Sequence, residues 1–141
     1  YGGAAKAYVV FGQWTLPTDQ LDLATLTPQL GFRIDGPDGG GGGFSEAWSV
    51  AATDFNGDGR SDLIIGTPNF NGGAGLVSIV WGRANSPGWL SIAQPDNITD
   101  FRITPVVADT RLGGKVAAVG DVNGDGYGDI VVLADQPGPS V

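Results

Sequence analysis

The chain has 141 residues, 41% of them apolar, with 25 Gly, 9 Pro and only 16% charged side chains. That profile fits one turn-rich domain with a core better than long solvated helices. A formal charge of −8 and a pI near 4.1 oppose binding to nucleic acid or insertion at anionic membrane, which favour clustered Lys and Arg. The sequence has no Cys, Met or His, which removes disulfides, thiolate nucleophiles, the usual zinc sites and the commonest general base.

In chain order, the first element is an apolar run at Tyr8–Phe11, closed by Gly12. Pro17–Leu30 reads as a long connection, Phe32-Arg33-Ile34 follows, and Gly39–Gly43 reads as a flexible insertion. A phosphate cradle is the competing reading of that glycine run, but no helix bearing Lys and Ser/Thr follows it. Short runs rich in Val and Ile then occur at Leu63–Ile65, Leu76–Trp81, Val116–Val119 and Ile130–Leu133, bounded by Gly, Asn or Asp. None carries a sustained helical period, so all are expected to be strands. Pro87–Asp100 is a second long connection, in the place matching the first. No apolar run approaches the ~20 residues of a membrane span.

Three blocks recur in the same order. Gly2-Gly3-Ala4, Val10 and Gly12 return as Gly72-Gly73-Ala74, Val80 and Gly82, an offset of 70. Phe32-Arg33-Ile34 returns as Phe101-Arg102-Ile103, an offset of 69. Asp54, Asn56, Gly57, Asp58, Gly59 and Asp62 return as Asp121, Asn123, Gly124, Asp125, Gly126 and Asp129, an offset of 67.

The third block carries chemistry. Both copies read D-x-N-x-D-G-x-x-D. Calcium takes six to eight hard oxygen ligands in a flexible shell. Asp54, Asn56 and Asp58, like Asp121, Asn123 and Asp125, can aim three side-chain oxygens at one point. The backbone carbonyl of Arg60 or Tyr127 adds a fourth ligand, and Asp62 or Asp129 closes the loop. An EF-hand needs a Glu at position 12 and flanking helices, whereas position 12 here is Ile65 or Val132, inside an apolar β-type run. A metal-free Asn-Gly hairpin is the plain alternative. Against it, three carboxylates within nine residues repel one another unless a cation joins them. Two calcium ions are therefore expected, bringing the formal charge from −8 to −4.

With Phe11-Gly12, its variant Trp81-Gly82, the two loops and Gly66-Thr67-Pro68, the chain resembles the FG-GAP repeats of integrin α-subunit β-propellers, also found in bacterial surface proteins, from Ala4 to about Leu133. The second copy departs from the pattern, with Leu133-Ala134-Asp135 where Gly-Ala-Pro is expected and no Phe-Gly strand after it. The resemblance implies an all-β fold of tandem four-stranded propeller-type blades, about two in this chain, with calcium loops at one end. It divides the chain into an orphan blade-closing strand at 1–12 and a first repeat at 13–82 with loop 54–62. A second repeat at 83–141 has loop 121–129 and lacks its last strand. Propellers close with roughly four to eight blades. Completion is therefore expected from missing flanking repeats or from oligomerisation, in which Ala5, Ala7, Tyr8, Val9, Val10 and Phe11 complete the last blade of another copy, in the limit forming a filament.

Smaller features fit a secreted module. Asn97-Ile98-Thr99 is an N-glycosylation sequon. Trp48 and Trp81 are expected in the core, while Trp14 and Trp89, beside Pro-containing connections, could stack sugars. Arg33 and Arg102 occupy equivalent places, which argues for a structural contact in each repeat. The expected function is a non-catalytic, extracellular or cell-surface calcium-binding structural or adhesive module. Its partners would be copies of itself, other propeller repeats, cell-surface proteins or glycans. A lectin-like or protein-ligand-binding propeller is the alternative. An enzyme ranks last, because Glu46 is the sole Glu and the clustered Asp residues are already used as ligands.

Overall fold

The computed structural model describes residues 5–13, 20–36, 48–92, 100–105 and 110–135. Their regular structure is almost entirely β: β1 (Lys6–Val10), β2 (Gly31–Asp35), β3 (Ser49–Thr53), β4 (Asp62–Thr67), β5 (Leu76–Val80), β6 (Trp89–Ser91), β7 (Asp100–Ile103), β8 (Lys115–Gly120) and β9 (Asp129–Leu133). An irregular helical turn, α1 (Phe70–Gly73), joins β4 to β5.

The centre is a four-stranded sheet in the order β3-β4-β5-β7, antiparallel throughout. On one side lies a sheet in which β1 is antiparallel and β6 parallel to β2. On the other lies the β8–β9 hairpin. β5 is buried along its whole length, as its unbroken Leu-Val-Ser-Ile-Val run requires of a strand covered on both faces.

Side-chain alternation divides the core in two. Leu63 and Ile65 of β4 face the β1–β2–β6 side, where Phe32, Ile34, Val80, Leu90 and Ile92 are buried and Ala7, Val9, Phe11 and Trp48 pack around them. Ile64 faces the other way, with Val77 and Ile79, onto Val116, Ile130 and Val132 of the hairpin and onto Trp81. The central sheet is thus packed on both faces by its neighbours, a stack of sheets rather than one sheet with a solvated side.

The repeated Phe-Arg-Ile block plays the same part twice. Val9, Tyr8 and Ala7 pair with Phe32, Arg33 and Ile34, and Ile79, Ser78 and Val77 pair with Phe101, Arg102 and Ile103. The central sheet therefore draws β3, β4 and β5 from residues 13–82 and its fourth strand, β7, from residues 83–141.

Several details differ from the sequence expectation. Gly66 and Thr67 lie within β4 rather than after it, since they pair with Val77 and Leu76. Pro87–Asp100 contains β6, held because Leu90 and Ile92 bury beside Ile34. Pro17–Leu30 contains a 3-10 turn, Leu23–Thr25, whose Ala24 N–H donates to Asp22 Oδ1 at 2.9 Å. Trp48 and Trp81, as expected, pack against the two core clusters. Arg33 pairs with Asp35 at 2.8 Å, and Arg102 donates to the carbonyl of Ile92. Trp14, Gly39–Gly43, Glu46 and Asn97 lie outside the described residues.

Candidate metal centre

Each nine-residue loop bridges an antiparallel hairpin, 54–62 between β3 and β4 and 121–129 between β8 and β9. In the first, Asp54 accepts from the N–H of Asp58 (Oδ1, 3.0 Å) and of Gly59 (Oδ2, 2.8 Å). Asn56 Oδ1 accepts from Asp58 N–H at 3.0 Å, and Asp58 Oδ1 from Arg60 N–H at 2.9 Å. The second loop repeats the scheme. Asp121 accepts from Asp125 (3.1 Å) and Gly126 (2.8 Å), Asn123 from Asp125 (3.1 Å), and Asp125 from Tyr127 (3.0 Å). Two loops that share only Gly57/Gly124 among their variable positions thus fold alike. The left-handed backbone at Gly57 (φ 75°) and Gly124 (φ 77°) is what turns the chain back over its first Asp.

The position-nine carboxylates lie deeper. Asp62 is fully buried. Its Oδ2 accepts from Phe55 N–H (2.9 Å) and Asn56 N–H (3.3 Å), and its Oδ1 from Gly82 N–H (2.7 Å). Asp129 Oδ2 accepts from Val122 N–H at 2.7 Å. Asp62 therefore clamps the loop to the chain just beyond β5. The loop also lies so close that a Cβ on Gly82 would come within 2.6 Å of the Ser61 carbonyl oxygen, which calls for a Gly after the aromatic Trp81, a connection the sequence motif alone did not reveal. Phe55 also leans on the strand ends, stacked with Trp81 at 6.5 Å and with Phe101 at 6.3 Å between ring centroids.

Among the described residues, no three carboxylates converge as a ready-made metal cluster. Asp54 and Asp58, like Asp121 and Asp125, are turned to the loop's own N–H groups, and Asp62 is turned into the blade. The donor set nevertheless suits a hard cation. It consists only of carboxylate, amide and carbonyl oxygens, and a carboxylate oxygen has lone pairs beyond the single N–H most of these accept. Residues 56–60 of the first loop and 121–127 of the second are exposed, while Asp54 and Phe55 are half-buried.

Backbone donors hold the Asp121 carboxyl below its ordinary value of 3.8: the N–H of Gly126 lowers it most, desolvation opposes this, and the N–H groups of Gly124, Asp125 and Asn123 lower it further. A carboxyl whose pKa is lowered by folding stabilises the fold above its unfolded value and loses that contribution as pH falls through the lower, folded value. In the calcium-free protein, a carbon-detected NMR titration is expected to place the Asp121 midpoint below 3.8. A midpoint at or above that value would mean that the loop scaffold is not formed without metal.

The two loops touch. The N–H of Gly128 donates to the carbonyl oxygen of Asp54 at 2.8 Å, and the ring of Tyr127 lies over Gly57, where an added Cβ would come within 2.5 Å of Cε1.

Residues 47–80 and 113–140 match the family model described as FG-GAP repeat. The chain is similar to integrin alpha-IIb of Mus musculus, 36% identical over 97 residues, covering 65% of this chain and 9% of that protein. It is similar to integrin alpha-V of Gallus gallus, 37% identical over 99 residues, 64% of this chain and 9% of the other. With integrin alpha-5 of Xenopus laevis the match reaches 94% of this chain at 32% identity over 136 residues, 12% of that protein. The chain thus spans only a small part of the length of the curated relatives it matches.

Proposed function

We propose that this chain, which belongs to the FG-GAP repeat family of β-propeller blades, is a non-catalytic, extracellular or cell-surface adhesion module that holds two calcium ions. Asp54, Asn56, Asp58, Asp62 and the Arg60 carbonyl would hold one ion. Asp121, Asn123, Asp125, Asp129 and the Tyr127 carbonyl would hold the other. The observation that carries this reading is the duplicated loop scaffold, with the same acceptors on the same N–H positions at an offset of 67. Bound calcium would neutralise the gathered carboxylates and fix the hairpin ends against their neighbours. Because the unfolded chain offers no formed site, each ion stabilises the fold, by about 2.7 kcal/mol at a hundred-fold excess over Kd. Thermal unfolding in calcium and in chelator tests this: a rise in Tm with calcium that magnesium does not reproduce is expected, and an unchanged Tm would contradict it.

The same module associates through its strand edges. β1 and β9 are edge strands among the described residues, and exposed Tyr8 and Val10 lie on β1, exposed Val131 and Leu133 on β9. The repeat offsets give the pairing, since β9 corresponds to β4 and β1 to β5. The β4–β5 register of Leu63 with Val80 and Ile64 with Ile79 becomes Ile130 with Val10 and Val131 with Val9. A strand of this type, from a neighbouring repeat or from another copy, completes the sheet. In light scattering coupled to gel filtration, the chain is expected to form assemblies that Val10→Asp disperses. A wild-type chain monomeric at every concentration, with and without calcium, would refute association between copies.

A carbohydrate-binding reading has one supporting feature, Trp89 on β6, 59% exposed, and a glycan array tests it.

A further inference from the structure

We propose, on the premise that the loops hold calcium as proposed above, that the two ions bind with positive cooperativity, coupled through the peptide unit between Tyr127 and Gly128. That unit faces both loops. Its carbonyl, from Tyr127, would be the position-seven ligand of the second loop. Its N–H, on Gly128, donates to the backbone carbonyl of Asp54, the first residue of the first loop, at 2.8 Å. A trans peptide is planar and holds its C=O and N–H in opposite directions. Orienting the N–H toward Asp54 therefore orients the Tyr127 carbonyl as well. Charge drawn from the carbonyl by a cation makes the N–H a stronger donor, and a carbonyl held firmly at Asp54 polarises the peptide in return.

Two comparisons within the chain indicate that this contact is specific to the pair of loops. At position eight the first loop has Ser61 where the second has Gly128, so the loop motif itself does not call for glycine there. The neighbouring strand does: a Cβ on Gly128 would come within 1.9 Å of Thr53 Oγ1 and 3.0 Å of the Asp54 carbonyl. Likewise a Cβ on Gly124 would meet nothing within 4 Å, while one on the equivalent Gly57 would strike the Tyr127 ring. The second loop is thus built onto the first one's turn. Ordering of either loop by calcium removes conformational freedom that the other would otherwise have to restrict.

Coupling of this kind is reciprocal. Asp125→Ala, which disables the second loop, is expected to weaken calcium binding at the first by at least about five-fold, and Asp58→Ala to weaken the second by the same factor. In the Gly128→Ala background, disabling one loop is expected to leave the affinity of the other unchanged. Calorimetric titration of the full chain and these variants reads both factors. A second readout keeps the test alive should Gly128→Ala not fold. In Asp125→Ala the Gly128 amide resonance is expected to shift as calcium fills the first loop, although the second cannot bind. Two ions bound independently, with a stationary Gly128 resonance, would overturn the coupling and leave the calcium reading standing. No calcium taken up by the wild-type chain would overturn both.

Discussion

Asp62→Ala is expected to lower the stability of the calcium-free chain by about 3 kcal/mol or more, because it removes the acceptor of three N–H groups and unsatisfied buried donors cost about 1–3 kcal/mol each. Two of those donors open the first loop and the third, Gly82, lies two residues beyond β5. The substitution therefore loosens the loop and detaches it from the sheet together. Asp129→Ala removes a single described contact, from Val122, at a half-buried site, and should cost less than half as much. Urea denaturation in chelator separates this structural loss from any loss of metal. Equal and small effects at the two positions would mean that Asp62 is not the clamp.

Ile64→Ala is expected to cost about 3–4 kcal/mol, as truncation of a fully buried aliphatic side chain leaves a cavity its neighbours fill only in part. Ile64 sits between the central sheet and the β8–β9 hairpin, against Val77, Ile79 and Val116. Val50→Ala on the adjacent strand, at a side chain 64% exposed, should change stability by only about 0.5 kcal/mol. A cost below about 1 kcal/mol for Ile64→Ala in the same denaturation experiment would show that the hairpin does not pack on the central sheet, since only a collapsible or solvated site loses so little.

Much of the architecture is legible in the sequence because the chain repeats itself. The Val- and Ile-rich runs become strands within a residue or two of their expected bounds, and the loops fall between paired strands as the Asp-Asn-Asp spacing implies. Trp48 and Trp81 are at the core positions expected of them. Short strands without their own period are harder to read. β6 is three residues, Trp-Leu-Ser, inside a Pro- and Gly-rich connection, and only its burial against Ile34 makes it a strand. β7 is recognisable as a repeat of β2, but its partner β5 is known only once the sheet is assembled. The site has the same division. The ligand types and their order can be read directly, whereas the clamp of Asp62 on Gly82 spans 20 residues. The contact of Gly128 with Asp54 joins the two repeats. Neither leaves a local pattern, because each depends on how one sheet stacks on the next.

Isothermal calorimetry of the full chain with calcium, after chelator treatment and dialysis, tests the central claim most directly. The expected result is two ions per chain, with one lost in each of Asp58→Ala and Asp125→Ala. A wild-type chain that takes up no calcium at millimolar concentration, while keeping its native β structure, would contradict it.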